Sequence, residues 1–122
     1  MSKCIMVVDD SATVRESLCM TLNAAGYRIL TATDGVDALA KLASVKIDMF
    51  ISDLNMPRLD GLGLLDAVRR KPECRFVPFV LLSTEVAEDK KRAGSIAGAA
   101  GWIVKPFRPE QIVKMVRILV GN

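Results

Sequence analysis

Histidine is absent from this 122-residue chain. That removes the commonest general base and the commonest metal ligand. Any metal here would be held by oxygen, which favours Mg²⁺, Mn²⁺ or Ca²⁺. Cysteine is scarce: Cys4, Cys19 and Cys74, with no C-x-x-C pair. An odd count without a pattern excludes a disulfide framework and points to a reducing compartment. Cys4 lies in a strand-like apolar run and Cys19 in a helical one, so both read as core thiols. Long apolar runs are missing too. The first run, Cys4 to Val8, is too short for a signal peptide and ends at Asp9-Asp10. No run reaches membrane-spanning length, so the expected location is the cytoplasm, without membrane insertion. Strong charge of one sign is absent as well. A formal net charge of +3 is too mild to make nucleic acid the main partner. No linker, repeat or low-complexity segment divides the chain, and its length suits one domain over residues 1–122. Such a domain can bury a core without staples.

What is present is a regular alternation of apolar runs and helical periodicity. Cys4 to Val8 reads as strand one. Val14, Leu18, Leu22 and Ala25 then share a helical face, with Gly26 as the cap beyond it. Tyr27 to Thr31 reads as strand two. Asp34 can cap a second helix with Val36, Leu39, Ala40 and Ala43 on one face. Ile47 to Ser52 reads as strand three, and Pro57, Asp60 and Gly61 then force a loop. A third helix carries Leu64, Leu65 and Val68 and ends in Arg69, Arg70 and Lys71, where basic residues suit the negative end of the helix dipole. Phe79 to Leu82 reads as strand four. Residues Glu88 to Ala100 predict a weaker fourth helix with Ala93, Ile96, Ala97 and Ala100 inside, although Gly94 and Gly98 each cost about 1 kcal/mol relative to Ala. Trp102 to Val104 reads as strand five. Pro109 opens a last helix with Ile112, Met115, Val116 and Leu119 as its buried stripe. Five strands alternating with five helices predict an α/β fold with a doubly wound parallel sheet.

The polar residues fall at one place on that scaffold. Asp9 and Asp10 end strand one, Asp53 ends strand three, Ser83 and Thr84 end strand four, and Lys105 ends strand five. In open α/β sheets the carboxyl ends of the strands are where ligands bind. Adjacent parallel strands lie roughly 4.8 Å apart, so neighbouring strands one and three would crowd three carboxylates together. Such carboxylates repel unless a cation sits among them. A hard divalent ion accepts oxygen ligands, and Mg²⁺ keeps positions open for a phosphoryl group. Lys105 has the reach to approach Asp53. An ammonium, a divalent ion and a hydroxyl around one carboxylate make an electrophilic cradle for a phosphoryl anion, with Asp53 as the natural nucleophile.

The motifs Val8-Asp9-Asp10-Ser11, Asp53-Leu54-Asn55-Met56-Pro57 with Asp60-Gly61, Ser83-Thr84 and Lys105-Pro106-Phe107 resemble, in order and spacing, the receiver domain of two-component response regulators. The likeness is to the free-standing chemotaxis (CheY-like) type and covers essentially the whole chain. It implies a flavodoxin-like strand order of 2-1-3-4-5. It implies that Asp53 is the phosphoacceptor, that Asp10, Asp53 and the backbone carbonyl of Asn55 bind Mg²⁺ directly, and that Asp9 does so through water. It implies that Ser83 is the switch hydroxyl and Lys105 the ion-pair partner of the phosphoryl group. Trp102 stands at the switch-aromatic position, where Tyr or Phe is more usual. The implied donor is a phosphohistidine of a sensor histidine kinase, or a small molecule such as acetyl phosphate. The implied output is a downstream protein bound by the fourth helix, strand five and the last helix. Asn55 and Glu85 match the chemotaxis type, and no second domain is visible, which points to protein contact rather than DNA. A monomer is expected, with a phosphorylation-dependent dimer as the alternative state. The domain would acquire and lose its phosphoryl group itself, as a signalling device rather than a turnover enzyme.

Three departures stand out. Thr84 replaces the usual Ala or Gly and adds bulk near Asp53. Arg108 precedes Pro109 where a capping Ser, Thr or Asp would serve better, so the last helix is expected to start frayed. The glycines of the fourth helix make it the weakest element, on a face expected to rearrange. Two rival readings compete. One is a phosphorylation-independent docking receiver. The other is a phosphatase of the haloacid dehalogenase type, whose nucleophile ends the first strand in Asp-x-Asp, whereas here Asp9 and Asp10 are adjacent and the best nucleophile ends strand three.

Overall fold

The computed structural model describes residues 2–84, 92–93, 95 and 98–121. Five strands, β1 (Cys4–Val8), β2 (Arg28–Ala32), β3 (Met49–Asp53), β4 (Phe79–Ser83) and β5 (Gly101–Val104), form one sheet in the order 2-1-3-4-5. All four pairings are parallel. Helices α1 (Ala12–Ala24), α2 (Gly35–Leu42), α3 (Gly61–Arg69) and a C-terminal helix (Pro109–Val120) cover the sheet, with a 3₁₀ turn at Pro72–Cys74. This is the doubly wound parallel sheet that the alternation predicts, in the flavodoxin-like order that the family resemblance implies.

Strand alternation sorts the core into two layers. Met6, Val8, Phe50, Phe79 and Leu81 point to one face and pack with Ala38, Leu64, Leu65 and Val68 of α2 and α3. Ile5, Val7, Met49, Ile51, Val80, Leu82 and Ile103 point to the other and pack with Leu18 and Leu22 of α1 and Ile112 and Val116 of the C-terminal helix. Phe50 and Phe79 stack with centroids 5.4 Å apart. Such a pair contributes about 0.5–1.5 kcal/mol beyond its burial.

Several expectations are corrected. Among the described residues there are four α-helices, not five. Most of the predicted helix 88–100, with Gly94, Ile96 and Ala97, lies outside the described residues. Arg92, Ala93 and Ser95 are helical, but Ala93 and Ala100, expected inside, are exposed. Tyr27 precedes β2 rather than starting it; it is buried, and its hydroxyl donates to the Gly121 carbonyl at 2.6 Å. Ile47 and Asp48 precede β3, and the Asp48 carboxylate accepts from the Cys4 N–H at 2.8 Å, which explains an acid beside an apolar run. Cys19 is only half-buried, whereas Cys4 and Cys74 are buried.

The face of α2 is only partly the predicted one: Leu39 packs against the core as expected. Val36, Ala40 and Ala43 are exposed, while Gly35 and Ala38 are buried. The apolar pattern of this eight-residue helix does not by itself set its rotation. Its first residue sets it instead. A Cβ on Gly35 would lie 2.8 Å from the Leu59 side chain, so only a glycine fits against the β3–α3 loop there. Arg108 gives the C-terminal helix no side-chain cap, as its residue type predicts. The Gln111 amide oxygen accepts from the Arg108 N–H at 3.4 Å, which is only the reciprocal half of a capping box.

Candidate functional site

Register explains how the site assembles. Val8 pairs with Ser52, so the next residues, Asp9 and Asp53, emerge side by side at the edge of the sheet. Asp53 pairs with Leu82, and Ser83 pairs with Val104, which places Ser83 and Lys105 one step further along. Asp9, Asp53 and Lys105 continue the alternation of the layer under α1, and Ser83 and Trp102 that of the layer under α3.

Asp9 and Asp53 are buried and Asp10 is exposed. One carboxylate oxygen from each lies within 4.8 Å of the others. The Lys105 ammonium donates to Asp9 Oδ2 at 2.9 Å and lies 3.1 Å from Asp53 Oδ1. Asp9 is held from three further directions. Its N–H donates to the Ala32 carbonyl at 3.1 Å. Its Oδ1 accepts from the Ser11 N–H at 2.9 Å, and its carbonyl accepts from Arg15 Nη1 at 2.7 Å. Ser11 also caps α1 through a 3.3 Å bond from the Val14 N–H. Among the described residues, the Lys105 ammonium is the cation against the Asp9 and Asp53 carboxylates, with Asp10 beside them. Burial, and then the Asp9 charge, push the Asp53 carboxyl above the usual carboxylate range, while Lys105 pulls it down. Burial pulls the Lys105 ammonium down, but its bonds and charges with Asp9 and Asp53 outweigh this and raise it.

Of the predicted residues, Asp9, Asp10, Asp53 and Lys105 come together, and Ser83 is buried at the end of the neighbouring strand. Asn55 is exposed in the loop after β3. Thr84 is exposed and lines a groove of about 450 Å³ with Thr13, Ser17, Lys105 and Phe107. Trp102 is half-buried against the α3-side core, and its buried indole N–H has no partner among the described residues. Glu85 lies outside the described residues. Sequence reading missed Arg15 and Arg58. Arg58 donates to Asp34 through Nε at 2.7 Å and Nη2 at 2.9 Å. Nothing local marks that pair, since its members are 24 residues apart in sequence.

A sequence family described as the response regulator receiver domain matches residues 5–117. The chain belongs to this family. The chemotaxis protein CheY1 of Helicobacter pylori is 34% identical over 120 residues, covering 97% of each chain. Protein PilG of Pseudomonas aeruginosa is 33% identical over 118 residues, 97% of this chain and 87% of that one. The solved structure of Vibrio cholerae chemotaxis protein CheY4 superposes with a TM-score of 0.94 at 40% identity, covering 98% of this chain and 99% of that one. Other relatives are longer: the chain spans 51% of response regulator MprA of Mycobacterium ulcerans, at 38% identity. Receiver domains are signalling domains of two-component systems, and histidine kinases supply their phosphoryl groups. No helix among the described residues is long and apolar enough to cross a membrane.

Proposed function

We propose that residues 1–122 act as a phosphoryl-accepting switch, with Asp53 as the acceptor. The observation that carries this reading is the buried Asp53 carboxylate, with Lys105 Nζ at 3.1 Å and oxygens of Asp9 and Asp10 within 4.8 Å. Among the described residues, three carboxylates facing one ammonium form an all-oxygen, net-negative set that fits a hard divalent cation. Asp10, Asp53 and the Asn55 carbonyl would hold Mg²⁺ directly, and Asp9 through water. Bound Mg²⁺ would lower the charge of the site and polarise the phosphoryl oxygens.

The chain's own residues do the rest. A carboxylate oxygen of Asp53 forms a bond to phosphorus as the phosphorus–nitrogen bond of a kinase phosphohistidine breaks, and the electron pair leaves with the imidazole. Lys105 holds a fixed positive charge where the phosphoryl oxygens arrive. The Ser83 hydroxyl turns to bond the new phosphoryl group. Trp102 responds by finding its indole N–H a partner, which changes the face built by β5 and the C-terminal helix. A group carrying about −1.5 to −2 charges supplies the bias. The altered face binds a downstream protein in the cytoplasm, in chemotaxis or motility; the Helicobacter pylori relative is a chemotaxis protein.

Intact mass after mixing with Mg²⁺ and acetyl phosphate, and separately with a phosphorylated histidine kinase, tests this. One added phosphoryl group, lost with EDTA and in Asp53→Asn, is expected from at least the kinase. No gain from either donor would overturn the reading in favour of a docking receiver.

A further inference from the structure

The loop between Asp53 and α3 is bound to the start of α2 by contacts that the switch chemistry does not require. Arg58 makes a two-pronged bond to Asp34, at 2.7 and 2.9 Å. Asp34 is buried, and its Oδ1 also accepts from the Asp37 N–H at 2.9 Å, so the carboxylate that caps α2 is the one that receives Arg58. Beside it, the Gly35 N–H donates to the Leu59 carbonyl at 3.1 Å. The far end of the loop closes through Gly61 N–H to the Leu54 carbonyl at 2.8 Å, and a Cβ on Gly61 would collide with the Asp53 carbonyl. Arg58 itself has φ +67°, the only non-glycine with positive φ among the described residues. That conformation favours Gly or Asn, so an arginine here holds a disfavoured backbone.

Asn55 sits in this loop, three residues before Arg58. A backbone carbonyl cannot be selected by side-chain identity. Only the path of the loop aims it. We propose that the Arg58–Asp34 clasp is a positioning device that presets the 54–60 loop so that its backbone can serve the cation site beside Asp53. Arg58 touches none of the reacting groups and acts through the loop. The inference rests on the reading of Asp9, Asp10 and Asp53 as a Mg²⁺ site.

Charge makes the test decisive. Removing the Arg58 cation near an acidic site would by Coulomb attraction alone tighten Mg²⁺ binding. Loss of positioning would weaken it, so the two effects have opposite signs. Mg²⁺ is titrated by calorimetry into wild type, Arg58→Gly, Arg58→Lys, Asp34→Asn and the Arg58→Gly/Asp34→Asn double variant, with the Asn55 carbonyl followed by NMR. Arg58→Gly, which also relieves the backbone, is expected to weaken affinity about fivefold, below the roughly 10–100-fold lost when groups bonded directly to metal ligands are removed. Arg58→Lys, which keeps the charge but cannot form the fork, should fall between. The double variant should add less than the two single losses combined. Equal or tighter binding by Arg58→Gly, or by Arg58→Lys should the first not fold, would overturn the clasp alone. A wild type that ignores millimolar Mg²⁺ would overturn the metal site and the clasp with it.

Discussion

Two carboxylate sites lie along the same edge of this sheet, and they are balanced in opposite ways. At the α2 end, Asp34 meets one guanidinium in a two-pronged bond and caps a helix with the same carboxylate. Its carboxyl is held below the usual range, first by Arg58 and then by the Asp37 N–H. At the β1–β3 end, three carboxylates cluster and, among the described residues, Lys105 alone bridges two of them, while Asp53 is pushed above the usual range, first by burial and then by Asp9. The first site is satisfied within the chain. The second holds more carboxylates than cations among the described residues. Matched charge makes structure, and unmatched buried charge stores a response to a ligand.

The largest effect that would break this contrast comes from Lys105. Lys105→Met leaves the acidic cluster without its cation and is expected to cost about 3 kcal/mol in urea unfolding without metal. Saturating Mg²⁺ should recover part of that loss. An unchanged midpoint would mean the carboxylates are already relaxed by solvent. A smaller effect of opposite sign is expected from Asp53→Asn. Removing one of three crowded charges should stabilise the metal-free protein by about 1 kcal/mol after solvent screening, while weakening Mg²⁺ binding. A destabilised Asp53→Asn would show that Asp53 is matched after all.

The finest test is the pH response, in which the two sites have opposite signs. Asp34 binds its proton less tightly in the folded chain, so its contribution is present above about pH 3.8 and is lost as pH falls through its lower folded value. Asp53 binds its proton more tightly when folded, so metal-free stability declines as pH rises from 3.8 through its raised value. Carboxyl NMR should therefore show Asp34 titrating below the unfolded value and Asp53 above it. Titration of both on the same side would erase the distinction drawn between the two sites.

Much of this was legible in the chain. The period-2 and period-3.6 patterns are local, and they place four polar strand ends without any knowledge of neighbours. The buried stripes of α1, α3 and the C-terminal helix were equally readable, because their apolar residues recur at helical spacing and meet the core. The eight-residue α2 was only partly so, since the fit of Gly35 against Leu59 sets its rotation. Arg58 was illegible for a similar reason: its partner is 24 residues away in sequence and is brought near only when two loops meet.

By itself, then, the sequence determined the five-stranded parallel architecture and the set of residues at the carboxyl edge, because hydrophobic periodicity and turn chemistry act over a few residues. Tertiary structure alone decided that Lys105 bridges Asp9 and Asp53, that Asp34 is claimed by Arg58, and which side of α2 is buried. Those outcomes depend on strand order and loop contact, and the energies that select them do not exist until separate segments are brought together.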